Sequence, residues 1–474
     1  MTFQTVPFNV AGSSYQSRSR PLSSQQTKNW YQQITEEGKE QFVLMPFPGL
    51  TSIGYVGFGC EDRGFWRMAE TLYQVKGLNL YLIDAYGNHT DKGTIPGTGR
   101  CIMADDGENL FIVSDLKVWQ YNSLTNLITE VTDPNITGAI SVDFINNQFI
   151  YTKPKFTSIS NVGDGSTVNP LNIIGAESKP DNLVRDYVFQ EVIWRMGVRT
   201  AEAWYNIGTG EPPIARLEGQ IVDIGLASKY AIAQTDNAMY WLGDDHIIYR
   251  MAGGTAQAIS TDAISNAIHD MARIDDSYAF TYTFQGQNFF QITFPTGNKS
   301  FVVNESLGTK GWFEVSSGTG GGKWQGSSLM RCYNKNIVAD ATNGKVYELD
   351  FDAYTNDGDI LQRTRVTSSI TGNAFNQKGK RVQMSRLELI MNTGVGLIDG
   401  QGDNPRIMIE ASYDGGRTWS AGTWASTGRL GEFILKVEYF SLATFYDCMF
   451  RISTTDAVNY SVYAGSIDIR LAGR

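Results

Sequence analysis

The sequence predicts an all-β protein: a β-propeller with an additional C-terminal antiparallel β-sandwich-like domain and few helices. Three observations carry this. Strand-like pairs recur through the first three quarters of the chain. Strict apolar–polar alternation sets in after residue 356. The composition is rich in aromatics and glycine, with 24 Phe, 23 Tyr, 10 Trp and 49 Gly against only 13 Pro, which is the profile of a turn-rich β protein.

Residues 1–44 are rich in Ser and Gln, as in SSYQSRSRPLSSQQ, and poor in periodic apolar positions. They read as an extended N-terminal arm, either free or laid along a partner. Residues 45–355 read as the propeller-like domain. LNLYLID (78–84), NLFIVSDLKVWQY (109–121), NQFIYTK (147–153), AMYWLGDDHIIYRM (238–251), NFFQITFPTGNKSFVV (288–303) and GKVYELDF (344–351) combine Val, Ile, Tyr, Phe and Trp with Gly, Asn and Asp breaks. Several lie roughly 30 to 45 residues apart, about the length of a four-stranded blade. No repeat motif such as Gly-His…Trp-Asp recurs, so the case rests on spacing. One helix is expected over 260–273, where Ser, Thr and Asp precede Ile264, Ile268 and Met271 at i, i+4, i+7.

Residues 356–474 read as the sandwich-like domain, entered through the turn-rich TNDGD (355–359). SRLELIM (385–391), RIMIEAS (406–412) and SIDIRLA (466–472) alternate as half-buried strands do. The most specific local signal follows the second of them: Ser412 to Trp419 reads S-Y-D-G-G-R-T-W. Ser412, Asp414, Gly415, Gly416, Thr418 and Trp419 are expected to build a tight hairpin turn. The glycines would supply positive φ, Asp414 would bond the turn's own amides, and Trp419 would pack over the hairpin.

Chemistry is sparse. SSGTGGGKW (316–324) is not a phosphate loop, because Lys323 is followed by Trp324 and the spacing to the upstream Gly is wrong. His89, His246 and His269 are the only histidines and have no neighbours at metal-ligand spacing; His89 and His269 are expected at the solvated surface. The doublets Asp105–Asp106, Asp244–Asp245 and Asp275–Asp276 are expected to be turn formers and caps rather than glycosidase pairs. G-x-S-x-G and H-E-x-x-H are absent. No catalytic, cofactor-binding or metal-binding residue is assigned, no cofactor is expected, and the reading is not an enzyme.

The net charge of −10, from 39 Lys and Arg against 49 Asp and Glu, argues against a surface that coats nucleic acid. Charged residues make up 19%, below the usual quarter, as expected where much of the surface meets other protein. Cys60, Cys101, Cys332 and Cys448 are scattered, which favours reduced, buried thiols in a chain made in a cytosol. No signal peptide or membrane-spanning run is visible.

Two resemblances follow from these residues. Ser412–Trp419 is similar to the Asp-box of sialidase propellers, where it is a folding element away from the active site. Taken in order, Phe47-Pro48-Gly49, RGFWRMAETLYQVKGLNLY (63–81), GTGR (97–100), AESKPD (176–181), TAEAWYN (200–206), FFQITFPTGNKSFVVNESLGTKGWFEV (289–315), NGKVYELDFDAYTNDGD (343–359), NTGVGL (392–397) and DGGRTW (414–419) resemble the packaged-DNA stabilisation proteins of short-tailed phages of the Salmonella type, also called tail hub or tail nozzle proteins. The resemblance runs over about residues 45–474; the first 45 residues fit it poorly. It implies a structural virion protein, made in the host bacterial cytoplasm and sited in the tail. Such a protein would form a homo-oligomeric ring, expected to be a hexamer, below the portal and adaptor. The ring would extend the DNA channel and retain the packaged genome until ejection. The implied partners are the tail adaptor and portal, the tail needle or plug, the tailspike or fibre proteins, and packaged DNA passing through the lumen, with no membrane insertion. The alternative is a glycan-binding or sialidase-like propeller protein.

Overall fold

The structure, a computed structural model, describes residues 2–472 apart from 21, 36–40, 55–58, 176–180, 209, 376–378 and 441. Most of the AESKPD motif therefore lies outside the described residues.

Six four-stranded antiparallel sheets form blades. Five follow one another in sequence and start at Asp62–Met68, Ile102–Asp105, Ser141–Ile145, Leu183–Phe189 and Ile232–Gln234. The sixth joins Gly326–Cys332, Lys335–Asp340 and Val346–Asp350 to an outer strand from far upstream, Gly49–Ser52. Between the fifth and sixth blades a further four-strand run, Tyr278–Phe284 to Trp312–Val315, fills a sector of the ring and continues into an eleven-stranded sheet.

Each neighbouring pair of sheets shares a dry core. Among the described residues seven such clusters close the circle. Phe111 and Phe149, on adjacent blades, pack with tilted rings and centroids 4.3 Å apart, and Ile150 meets Ile193 and Trp204 in the next cluster round. Each fully buried Ile, Leu or Phe contributes about 1.5–3 kcal/mol, so the ring is held by its inter-blade cores. The helix, Asp262–His269, is capped by Thr261 and buries Ala263, Ile264 and Ile268 between the fifth blade and the following sector. It stops four residues short of the expected end, with Asp270 at its C-cap.

The hairpins read from sequence are present: Asn109–Ser114 pairs with Lys117–Asn122, Met239–Leu242 with Ile248–Ala252, and Gln287–Phe294 with Lys299–Asn304. Tight turns of the blade hairpins put pairs of residues at positive φ, among them Asp115–Leu116, Asn146–Asn147, Gln190–Glu191 and Tyr333–Asn334. This is the turn geometry that matches strand twist. Here it is reached largely without glycine, so no sequence motif marks the repeat.

After residue 356 two sheets face each other. One orders Val437–Phe440, Val382–Met391, Val462–Leu471, Phe42–Pro46 and Trp30–Ile34, with Gln4–Phe8 also paired to Val462–Leu471. The other is the far end of the eleven-stranded sheet: Ser24–Lys28, Arg363–Val366, Asp447–Thr454, Arg406–Ser412 and Thr423–Ser426. Their inner faces bury Phe8, Val10, Leu44, Leu387, Ile407, Phe450 and Ile467. Asn356 is buried and bridges to Leu50, so TNDGD is a packed turn and not a loose linker.

The described residues of the expected extended arm, 1–44, instead supply strands to both sheets. Its few apolar residues are spaced to use both faces of short strands. Trp30 enters the sandwich core and its neighbour Tyr31 enters a propeller core, as successive residues of a strand must. The Ser- and Gln-rich stretches that suggested a free tail carry buried hydrogen bonds. Ser14 Oγ and Thr27 N are paired at 2.8 Å, and Asn29 Nδ2 donates to the Gln362 carbonyl at 2.8 Å. Arg365 binds the segment from within. Its guanidinium donates to Val10 O (2.8 Å), Ser13 O (3.2 Å), Gln25 Oε1 (2.7 Å) and Thr27 Oγ1 (2.9 Å). Burial pushes its pKa down to about 9, so at neutral pH it remains a cation held by neutral acceptors.

Candidate functional site

The Ser412–Trp419 motif sits where the strand Arg406–Ser412 leaves the sandwich. The chain returns in Thr423–Ser426, paired through Ile409 and Thr423. The connection, 413–422, is thus a ten-residue loop in place of the tight hairpin turn expected from Asp-Gly-Gly; the tight part is the bend inside it. Gly415 and Gly416 have φ of 75° and 82°, as the sequence suggested. Asp414 Oδ1 accepts from Ser412 Oγ (2.8 Å), Arg417 N (2.9 Å) and Thr418 N (2.9 Å), and Oδ2 accepts from Thr418 Oγ1 (2.6 Å). These donors, the Thr418 hydroxyl foremost, hold its carboxyl well below the usual carboxylate range. Both carboxylate oxygens are therefore engaged within the loop.

The loop is fastened outward as well. Ser24 Oγ donates to Gly415 O at 2.9 Å, joining it to the N-terminal segment. Arg451 lies 4.6 Å over the Trp419 ring and pairs with Glu410, its cross-strand partner, at 2.5 and 2.6 Å. Trp419 thus packs on an ion pair of the sheet, and the six motif residues act together as a clasp. A Cβ at Gly416 would lie 3.2 Å from Ser24 Cβ. Gly416→Val is therefore expected to destabilise by about 1–3 kcal/mol through its positive φ. Asp414→Ala should lower the melting temperature in the same direction. Thermal melts of the two variants check both; unchanged melting would remove the clasp.

The acidic doublets act locally. Asp105 accepts from Trp66 Nε1 at 2.6 Å and Asp106 from Asn109 N at 2.6 Å. Asp244 accepts from Gly225 N at 2.8 Å and Asp245 from Tyr249 Oη at 2.5 Å. Asp275 pairs with Arg273, and Asp276 accepts from Thr296 N at 2.9 Å. No group of three or more His, Cys, Asp or Glu able to hold a metal occurs among the described residues. The SSGTGGGKW stretch is an irregular loop anchored by Trp324, which is buried. Cys101, Cys332 and Cys448 are free and buried, while Cys60 is free but exposed, against the expectation of burial.

His269 is exposed, as expected, and its ring lies 5.3 Å from that of His246. His89 is not on the solvated surface. It is half-buried, with Nδ1 3.1 Å from Gly87 O and Nε2 3.2 Å from Gln74 Oε1. Burial, then the nearby Lys76, pushes its pKa down to about 4. An unfolded histidine titrates near pH 6.5. Between those values the unfolded chain takes up the extra proton, so the His89 contribution is full above about pH 6.5 and falls as pH drops towards 4. The denaturant midpoint of the wild type should fall more steeply over that window than that of His89→Gln.

No helix among the described residues is long and apolar enough to cross a membrane. Among solved structures the chain is similar to U3-55K, at 10% identity over 64% of this chain and 99% of that one, with a TM-score of 0.42. It is also similar to the computationally designed Ika8 protein, at 11% identity over 68% and 96%, with a TM-score of 0.38. A third likeness is to the extracellular domain of the putative one-component system BT4673 from B. thetaiotaomicron, at 10% identity over 82% and 48%, with a TM-score of 0.44. No curated protein matches. Residues 4–354 match the family described as Bacteriophage P22 Gp10, beta-propeller, and residues 353–470 match Bacteriophage P22 Gp10, beta-sandwich. With both halves matched in chain order, the chain belongs to the bacteriophage P22 Gp10 family and is a structural protein of the phage tail.

Proposed function

We propose that the protein is the tail hub or nozzle. It forms a closed homo-oligomeric ring, a hexamer, below the portal and adaptor, extends the DNA channel and retains the packaged genome until ejection. The observation that carries this reading is membership of the Gp10 family across both domains. Needle or plug proteins and tailspikes or fibres are its further partners. Head-to-tail contacts between copies close such a ring by rotation.

The charge supports a conduit that DNA slides through. Duplex DNA carries one phosphate per roughly 1.7 Å of axis, and a basic lumen would hold it. A chain of net charge −10 repels phosphate within a Debye length of about 8–10 Å, so retention falls to a constriction or plug. The engagement of both Asp414 oxygens within their own loop removes the main support for the glycan-binding alternative.

Two measurements test the role. Filter binding at about 50 mM salt should show weak duplex affinity with a shallow salt slope. Particles assembled without the protein should lose their DNA. Full retention in those particles would remove the proposed role, and tight binding with a steep slope would replace sliding with direct clamping.

A further inference from the structure

One end of the propeller axis gathers three cations from different blades. The first strands of the blades begin there, and the residues at those starts are bonded across the ring. Tyr230 Oη donates to Arg100 O at 2.7 Å, Arg185 Nη1 to Lys229 O at 2.8 Å, and Lys229 Nζ to Ile140 O at 3.3 Å. Arg100 Nη2 donates to Ser327 O at 3.0 Å and Ser328 Oγ at 3.2 Å. The Tyr230 ring is near two of the charges, with Lys229 Nζ at 5.0 Å and the Arg100 guanidinium at 5.8 Å. Arg100, Arg185 and Tyr230 line a cavity of about 370 Å³ together with Trp66 and Tyr187.

We propose that this mouth is a binding site for a small, doubly charged oxyanion of the phosphate type, held by Arg100 and Arg185, with Lys229 adding its charge from beside the Tyr230 wall.

The protein itself neutralises these cations poorly. All three are half-buried, yet their hydrogen bonds go to carbonyls and a hydroxyl, and none makes an ion pair within 4.0 Å among the described residues. The Nε atoms of Arg100 and Arg185 are buried without a partner. Three acids stand nearby but are turned to other donors. Asp62 accepts from Ser327 Oγ (2.6 Å) and Ser328 Oγ (3.0 Å), Asp115 from Thr98 N (2.7 Å), and Asp143 from Val188 N (2.9 Å). Burial, with Arg185 beside it, lowers the pKa of Lys229, the response of a cation short of counter-charge.

Like charges on a half-buried rim cost stability unless an anion joins them. Guanidinium forks match oxyanions in a planar, two-bond geometry, and the ammonium adds a point charge. At about 30 Å³ per water, the cavity holds a phosphate with its first waters and excludes a duplex. The two arginines come from different blades, so an anion here would tie those blades together. This inference does not depend on the tail role.

Calorimetric titration of the full chain with inorganic phosphate at neutral pH tests it, with sodium chloride at matched ionic strength as the reference and sodium citrate and a short DNA duplex as separate arms. Phosphate is expected to bind saturably at one equivalent per chain and to raise the melting temperature more than chloride does. Arg185→Gln should weaken binding about tenfold, and Lys229→Gln by a lesser factor, as loss of a charge-assisted bond implies. Lys299→Gln, on a separate basic groove beside the helix, should bind as the wild type does. Phosphate heats no larger than those of chloride would overturn the proposal. So would equal affinity in Arg185→Gln and Lys229→Gln that melt as the wild type does, or saturable binding of citrate or duplex without phosphate.

Discussion

Trp30→Ala is expected to lower the unfolding free energy by about 3–5 kcal/mol, the cost of emptying a large aromatic site in a packed core. Trp30 is fully buried in the sandwich core and donates from Nε1 to Tyr460 O at 2.9 Å. The next residue, Tyr31, packs edge-on against Phe289 of the propeller side at 5.6 Å. A strand with one face in each core makes the two domains share a wall. The variant should therefore melt earlier but in a single transition, with propeller and sandwich signals falling together. Calorimetry of the variant checks this; two separate transitions would show that the wall does not couple them. For the same reason residues 356–474 expressed alone should not fold, since the sandwich would lack Gln4–Phe8, Ser24–Lys28, Trp30–Ile34 and Phe42–Pro46.

Arg365→Leu should cost about 2–4 kcal/mol. Five acceptors would lose a donor, at about 1–3 kcal/mol each where water cannot reach. Relief from burying a cation offsets part of that. The loss should be local first. Val10, Ser13, Gln25, Gln26 and Thr27 are the acceptors, so residues 10–28 should become sensitive to limited proteolysis before the rest of the chain. Resistance equal to the wild type would mean that the strand pairing alone holds the segment.

The contrast between Trp30 and Ile407 shows what could be seen in the sequence. Ile407, Ile409 and Ala411 alternate within one strand, and their burial on one face follows from local periodicity alone. The hairpins through Asn109–Asn122 and Met239–Ala252 were legible for the same reason: both partners lie within a few residues of each other. Trp30 stands in a Gln-rich stretch whose partners lie at Pro46 and Tyr460, and no local pattern reveals a pairing across four hundred residues. The blades were legible as spacing but not as a motif. Their turns are set by backbone geometry that Asp-Leu, Asn-Asn, Gln-Glu and Tyr-Asn all adopt. The Asp414 bonds were readable because they reach only three or four residues along the chain. The clasp to Ser24 was not readable, because it depends on the same long-range pairing as Trp30. The cations at the propeller mouth lie 85 and 44 positions apart in sequence, from Arg100 to Arg185 to Lys229, and only the closing of the ring brings them together.

That closing has a consequence for synthesis. The outer strand of the last blade is Gly49–Ser52, and the first strand of the chain, Gln4–Phe8, pairs with the last, Val462–Leu471. A ribosome delivers those partners on the order of half a minute or more apart. Until Val462–Leu471 emerges, the early strands wait with open edges, which are the templates for wrong pairing. Loss of Val462–Leu471 leaves Gln4–Phe8 without its partner and opens one edge of Val382–Met391. The fold thus acts as a gauge of synthesis: only a chain translated through Val462–Leu471 buries Gln4–Phe8.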